Sequence, residues 1–232
     1  MTTATRSARL RTVLGWPAGI TVVGWRYMWR TIPLHRSEEA GTRADLPGLS
    51  YDTTGFADRL QSLDAGVGPL LHRLYQVRIA GTSITPPALM DLVSCHLNQA
   101  CPEMAKFWKT RGSQGALRLG DEFVVRMPGP WDGPVRVVCR DEASFRLVTL
   151  DGHLEAGEIE FRAEAGRDGL HFEIESWARA GDRLSHLLYN NLRLAKEIQL
   201  NMWSHFCVRV ARMAGGRPQG GVTIRTRCVP WD

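Results

Sequence analysis

Residues 184–213 read LSHLLYNNLRLAKEIQLNMWSHFCVRVARM, a stretch without glycine or proline. Its apolar residues recur at steps of three and four, which is the spacing of one face of an α-helix. These residues are Leu184, Leu188, Leu192, Ala195, Ile198, Met202, Phe206, Val210 and Met213. Asp182 is a candidate N-cap, and Gly215 and Gly216 form a stop signal. We therefore predict one helix over Leu184–Met213, about 45 Å long at 1.5 Å per residue.

A helix of this length needs a broad apolar surface against its stripe, and the preceding residues supply one as strands. Alternation of apolar and polar residues predicts these strands. They are Leu70–Ile84, Leu117–Met127, Val135–Cys139, Phe145–Leu150, Gly157–Glu164 and Leu170–Trp177. The later connections are short and turn-like, so we predict antiparallel hairpins.

Two short helices are predicted between the first strand and the others. Thr85-Pro86-Pro87 is a typical helix start, and Pro102–Lys109 is predicted to form the second helix. Segregated helices and strands indicate an α+β domain. We expect a curved antiparallel sheet wrapped around the long C-terminal helix, with a cavity between the two.

Composition suggests three parts: an N-terminal basic and aromatic extension (1–47), a main domain (48–214) and a C-terminal tail (215–232). The extension carries seven Arg against three acidic residues, whereas residues 48–213 are close to neutral. Residues 33–50 have the composition of a linker. Within the tail, Val222–Val229 either adds a late strand or stays loose.

The charge distribution and the cysteines exclude several classes of function. A nucleic-acid reader usually carries its basic patch on the folded domain, so we expect no nucleic-acid partner. The five cysteines are odd in number and show no CxxC spacing, which argues against a disulfide framework and a zinc site. No motif for a phosphate, a dinucleotide or a metal is present, so we expect no cofactor and no metal in a cytoplasmic protein.

Residues 1–32 allow three interpretations. The apolar stretch at residues 12–25 is too short for a membrane span, which needs about 20 residues. One interpretation is a segment packed on the domain through its aromatic residues. The alternative is an aromatic and basic foot on a membrane surface, so that the protein is peripheral to the membrane. A signal peptide is a weaker interpretation, because no small-x-small cleavage site follows.

Residues 149–161, TLDGHLEAGEIEF, resemble the family catalogued as domain-of-unknown-function nineteen-ninety. Its members carry a similar GHxxxGE segment, then a strand, a Ser/Arg-rich turn and a C-terminal helix with a Gln. The counterparts here are Gly152, His153, Gly157, Glu158, then Ser176–Arg179, then Gln199. The family's usual Ser-Arg-Pro turn is replaced by Ala178-Arg179-Ala180. The resemblance covers residues 66–214 approximately and supplies no settled activity.

The same resemblance and the order of elements imply the helix-grip fold of START-like lipid-transfer and polyketide-cyclase domains. In such a fold the inner face of the sheet and the polar flank of the helix are candidate ligand contacts. These candidates are Tyr75, Phe123, Phe161, Phe172, Tyr189, Asn190, Gln199 and Trp203. The alternative is that these side chains fill a solid core.

His153, in a tight turn at the rim of the sheet, is the candidate catalytic residue. With Tyr189 or Glu158 it would perform acid–base chemistry. The alternative is a turn histidine that bonds local backbone.

Because side chains alternate between the two faces of a strand, Glu158, Glu160, Glu173 and Glu175 should lie on the face opposite the helix. We expect a solvated face that mixes them with Arg146 and Arg162, with Glu160 near Glu173 and Glu158 near Glu175. An acidic cation or carboxylate site is the alternative.

Three functions follow from these patterns. The first is binding of a small hydrophobic or amphipathic molecule between the sheet and the C-terminal helix. The second is a membrane-surface or partner-binding module that acts through residues 1–32. The third is a cyclase, hydrolase or isomerase on the same scaffold.

Overall fold

The computed structural model describes residues 33–48, 58–103, 105–126, 132–181 and 194–231, with the side chains of 194–196 and 198 omitted. We number the elements in chain order. The strands are β1 (Leu34–Ala40), β2 (Val67–Ala80), β3 (Lys106–Arg111), β4 (Glu122–Arg126), β5 (Asp132–Arg140), β6 (Ser144–Thr149), β7 (Glu155–Gly166), β8 (Gly169–Ala180) and β9 (Arg217–Val229). The helices are α1 (Pro86–Cys95), α2 (Leu97–Ala100) and α3 (Leu194–Met213).

Over the described residues, the strands form one nine-stranded sheet in the order β1-β9-β2-β8-β7-β6-β5-β4-β3. All neighbours are antiparallel except β1 and β9, which pair in parallel. The strands β1 and β3 are its edges, so the sheet is curved but not closed. Helix α3 packs on its inner face, and this arrangement confirms the predicted helix-grip fold.

The C-terminal end of the long helix lies where the sequence predicts it. Gly215 has a φ of 73°, a conformation that costs glycine little. The amide of Gly216 donates to the carbonyl of Ala211 at 3.1 Å, and that of Gly215 donates to Arg212 at 2.9 Å. These two bonds form a Schellman motif, which ends the helix by satisfying its last carbonyls. The predicted beginning, residues 184–193, lies outside the described residues.

The second short helix is shorter than predicted and lies earlier. It spans Leu97–Ala100, and the second half of the predicted range 102–109 belongs instead to β3. The Asn98 side chain accepts from the amide of Phe107 at 2.7 Å and donates to its carbonyl at 3.0 Å. These bonds hold the chain extended, and Phe107 is then buried while Trp108 is 53% exposed. The alternation of a buried and an exposed residue is therefore that of a strand and not of a helix.

Both ends of the described chain enter the sheet. Residues 34–40, predicted as part of a linker, form β1, and residues 217–229 form a strand between β1 and β2. The linker prediction is wrong for β1 because its partner, β9, lies at the far end of the sequence. A local composition pattern contains no information about such a distant partner.

Candidate functional site

The inner face of the sheet is built from cross-strand rows of side chains, because alternate residues of each strand point to the same face. One row contains Phe145, Phe161, Ile174, Tyr75 and Ile224. The next row contains Leu147, Ile159, Ser176, Arg73 and Thr226. A third contains Gly157, Ala178, Leu71 and Cys228. Large apolar side chains thus give way to smaller and polar ones toward the start of β7.

We call the large-residue region the aromatic end, and it holds several predicted ligand contacts. The ring of Phe161 lies 5.5 Å from that of Trp203 and 5.4 Å from that of Phe206, and Phe172 lies 6.2 Å from Phe206. Phe123 packs edge-on against Phe107 at 6.2 Å. All these rings are buried. They belong to the hydrophobic core, and a role in ligand contact stays a prediction.

We call the region around Arg73, Glu155 and Gln199 the polar end. Arg73 is 1% exposed and donates a hydrogen bond from its guanidinium to the Gln199 amide oxygen. The Gln199 amide nitrogen donates to a carboxylate oxygen of Glu155 at 2.9 Å. One glutamine on α3 therefore joins a cation on β2 to an anion on β7.

Small neighbours explain how an arginine fits on this face. Ser176 and Thr226 lie opposite Arg73 on the two flanking strands, and both are buried. Because their side chains are short, they leave room above the sheet for the long side chain of Arg73 to reach α3. Charged side chains are rarely buried without partners, and Gln199 supplies one here.

Tyr75, one inner-facing position after Arg73 on β2, is 0% exposed. Burial raises the pKa of its phenol strongly, the nearby Arg73 lowers it, and the carboxylate of Glu155 raises it again. The phenol is therefore un-ionised at neutral pH. Its oxygen Oη lies near the guanidinium of Arg73 but completes no hydrogen bond of ordinary geometry with a described residue, and neither does Nε1 of the buried Trp203.

His153 occupies the predicted turn and makes local bonds there. Its Nδ1 accepts from the amide of Glu155 at 2.9 Å, and its own amide donates to the carbonyl of Leu150 at 3.0 Å. Burial lowers its pKa, so the neutral ring is favoured, although the negative charge of Glu155 opposes this shift. Its ring also lies against Gly133, where an added Cβ would be 2.9 Å from Nε2. Glu155 thus connects the turn of His153 with Gln199 on the helix.

The four glutamates lie on the outer face, as predicted, but their pairing differs by two residues. The turn at residues 167–168 pairs Gly166 with Gly169, which places Glu160 opposite Glu175 and Glu158 opposite Trp177. Arginines separate these charges. Arg146 contacts Glu158 at 2.9 Å and Glu160 at 3.1 Å, while Arg162 contacts Glu173 at 2.5 Å and Glu175 at 2.6 Å.

This outer-face network is more buried than a solvated face. Glu158 and Glu173 are each 7% exposed, and Arg146 is 3% exposed. The indole of Trp177 lies 5.3 Å from the Arg146 guanidinium and donates to the carbonyl of Asp45 at 2.9 Å. The segment around Asp45 therefore covers part of this face, and the arginines compensate the acids beneath it.

Several predicted features lie outside the described residues. These are the ligand contacts Tyr189 and Asn190, and residues 1–32 with their predicted membrane contact. Within the described ranges, no helix combines the length and the apolar character needed to cross a bilayer.

Sequence reasoning missed Arg73 and Glu155. Arg73 interrupts an otherwise apolar strand face. This interruption could have predicted a polar contact, since a buried charge without a partner would be costly. Glu155 lies within the GHxxxGE segment, two residues after His153, but the predicted strand began only at Gly157. Its inward direction follows from the earlier start of β7.

One family model matches the middle and C-terminal part of the chain. Residues 104–213 match the model of the family described as Domain of unknown function (DUF1990), which confirms the resemblance stated from the sequence. No curated protein matches the chain.

Solved structures that match the chain have low sequence identity to it. Protein NE0264 from Nitrosomonas europaea is 13% identical, with 62% of this chain and 94% of that chain covered and a TM-score of 0.41. The di-domain ARO/CYC StfQ from the steffimycin biosynthetic pathway is 11% identical, with 63% and 52% covered and a TM-score of 0.43. Major latex-like protein 151 from Panax ginseng is 13% identical, with 57% and 95% covered and a TM-score of 0.39. These likenesses carry no argument about activity.

Proposed function

We propose that the protein binds a small amphipathic molecule between the inner face of its sheet and helix α3. The observation that carries this proposal is the pair of buried hydrogen-bonding atoms Tyr75 Oη and Trp203 Nε1, which have no partner among the described residues. Leaving such an atom unsatisfied costs about 1–3 kcal/mol. A ligand atom that bonds to them would recover that free energy.

The surroundings of these atoms have the composition of a small-molecule site. Such sites are mostly apolar and contain a few polar groups that fix the orientation of the ligand. Here the apolar part is the aromatic end, and the polar groups are those of the polar end. Because Gln199 bonds both Arg73 and Glu155, their side chains are held in position before any ligand arrives.

Binding can be tested with N-phenyl-1-naphthylamine, a neutral apolar dye that fluoresces when it leaves water. We expect saturable binding by the full chain, and displacement of the dye by compounds extracted from the purified protein. Native mass spectrometry should show such a compound. If the dye shows no saturable binding and no compound co-purifies, the proposal is wrong.

A variant that fills the site provides the specific test. Ser176→Leu places a larger side chain beside Arg73 on the inner face, and we expect it to weaken dye binding by at least about tenfold, equivalent to about 1.4 kcal/mol. The matched control is Ser113→Leu in an exposed loop, which should leave the affinity unchanged. If Ser176→Leu fails to fold, the smaller change Ala178→Val, one row further along β8, serves the same purpose. Unchanged dye affinity in a folded filling variant would contradict the location of the site.

A further inference from the structure

We infer that the molecule bound at this site carries a neutral oxygen acceptor, such as the carbonyl of a ketone, an ester or an amide, which accepts hydrogen bonds from Tyr75 and Trp203. This inference rests on the proposed function and specifies its ligand class. It depends on where the two side chains lie, on what each can donate, and on the charges around them.

Tyr75 lies against helix α3, and the contacts of its neighbours show which part of the helix it faces. Gln199 bonds Arg73, the inner-facing residue just before Tyr75 on β2. Phe172 lies opposite Val77, the next inner-facing residue of β2 after Tyr75, and its ring packs on Phe206 of α3 at 6.2 Å. Tyr75 therefore faces the part of α3 between these positions, and Trp203 lies at its centre.

The row structure of the sheet gives the same placement independently. Phe161 and Tyr75 belong to one row, with Ile174 of β8 between them. The ring of Trp203 packs on Phe161 at 5.5 Å. Tyr75 and Trp203 therefore belong to the same layer, at the boundary between the aromatic end and the polar end.

The second step is the hydrogen-bonding chemistry of the two groups. An indole N–H can only donate. A phenol can donate or accept, and Tyr75 keeps its proton because burial disfavours the phenolate. A ligand group that satisfies both must therefore offer acceptor lone pairs. An ammonium group has none, so it would leave the indole N–H of Trp203 unsatisfied.

The third step separates a neutral acceptor from an anion. An anion would need a cation with uncompensated charge, whereas Gln199 links Arg73 to the carboxylate of Glu155 and Arg73 also has a further contact. The carboxylate of Glu155 lies close enough to Tyr75 to raise the pKa of the phenol, so a second negative charge there would be repelled. A carbonyl oxygen avoids both costs.

Three fluorescent probes of similar size test the inference on the full chain. The first is 6-propionyl-2-(dimethylamino)naphthalene, a neutral ketone whose emission reports hydrogen bonding to its carbonyl. The second is N-phenyl-1-naphthylamine, which is neutral and has no carbonyl. The third is 8-anilinonaphthalene-1-sulfonate, an anion. We expect the ketone to bind about tenfold tighter than either of the others, with emission typical of a hydrogen-bonded carbonyl in an apolar site.

The variants Tyr75→Phe and Trp203→Phe each remove one donor and keep an aromatic ring. We expect each to weaken ketone binding by about five- to tenfold and to shift the emission of the bound ketone to shorter wavelength. The affinity for N-phenyl-1-naphthylamine, which has no carbonyl, should fall by a smaller factor than the affinity for the ketone in each variant. Trp108→Phe, at an exposed tryptophan, is the matched control and should change none of these values.

The outcomes separate this inference from the proposed function. If N-phenyl-1-naphthylamine binds as tightly as the ketone and neither variant changes ketone affinity or emission, the inference is wrong and the binding function stands. Tightest binding of the sulfonate would also overturn the inference, because it would indicate an anion site. If none of the three probes binds, the proposed function itself fails.

Discussion

Glu155 at the start of β7 accepts a hydrogen bond of 2.9 Å from the Gln199 amide nitrogen on α3, and the oxygen of the same amide accepts from Arg73 on β2. A neutral side chain thus uses both ends of its amide to bridge two opposite charges. This bridge attaches helix α3 to β2 and β7, two strands that are separated in the sheet by β8.

Replacing Gln199 by Met should lower the free energy of unfolding by about 2–4 kcal/mol. The shape is nearly kept, but Arg73 loses its amide acceptor and Glu155 its donor in a mostly buried region. Urea unfolding followed by circular dichroism measures the change. Gln114→Met, in an exposed loop, should stay within about 0.5 kcal/mol of wild type. Equal stability of the two variants would contradict the bridging role.

Breaking the outer-face pair of Arg146 and Glu158 should also be costly. Arg146→Met should destabilise by about 3–5 kcal/mol, because it removes the cation that lies 2.9 Å from the buried carboxylate of Glu158. The double variant with Glu158→Leu should recover at least about 1 kcal/mol relative to the sum of the single changes. The exposed pair Arg126 and Asp132, 3.5 Å apart, is the control, and Arg126→Met should cost less than about 1 kcal/mol. Additive effects at Arg146 and Glu158 would count against coupling.

Folding stability should depend on the protonation of His153. Burial lowers its pKa below the ordinary value of 6.5, so below that pH the unfolded chain binds the proton more readily than the folded protein. Stability is therefore greatest above about pH 6.5 and falls as the pH decreases, by at most about 1.4 kcal/mol per pH unit from this group.

His153→Asn keeps an acceptor for the amide of Glu155 and removes the titration. We expect its stability to match wild type within about 1 kcal/mol at pH 8, and to decline less than wild type between pH 7 and pH 5. Urea unfolding across this range gives both curves. Parallel curves would show that His153 does not contribute to the pH dependence.

The C-terminal end of α3 should be sensitive to a single methyl group. Gly215→Ala should cost about 1 kcal/mol, because its φ of 73° disfavours any side chain although no atom lies within 4 Å of the added carbon. Gly48→Ala is the matched control, with the same open space and no positive φ. We expect it to be neutral or slightly stabilising. A similar loss at both positions would contradict the conformational explanation.

Membrane contact through residues 1–32 stays a prediction, and the fold changes how it should be tested. A truncation at Pro47 would remove β1 from the sheet, so the shortened protein should begin at Pro33. Co-sedimentation with vesicles containing anionic lipid should be stronger for the full chain than for this truncated form, and the difference should shrink at high salt. Equal binding of the two forms would exclude a membrane role for residues 1–32.

Local patterns predicted the elements whose causes are local. The end of α3 follows from the two glycines after Met213, and the start of α1 from Thr85, whose hydroxyl accepts from the amide of Ala88 at 3.4 Å. Alternation likewise predicted which residues of β7 and β8 face the helix. Each of these features depends on neighbours within a few residues.

The remainder depends on contacts between distant parts of the chain. The strand pair β1 and β9 joins the two ends of the described chain, and neither strand alternates cleanly between apolar and polar residues. The role of Arg73 likewise required its partner Gln199, which is 126 residues away. At the candidate site, the aromatic side chains were predicted, while the charged bridge between strands and helix was not.

The position of β9 between β1 and β2 has a consequence for synthesis on the ribosome. Gln76 on β2 and its side-chain partner Arg225 on β9 are 149 residues apart, so β2 leaves the exit tunnel long before that neighbour exists. During elongation β2 can pair with β8 on one side, while its other side stays an open edge of unpaired amides and carbonyls. The nascent chain therefore carries an aggregation-prone edge until its last strand emerges and closes it.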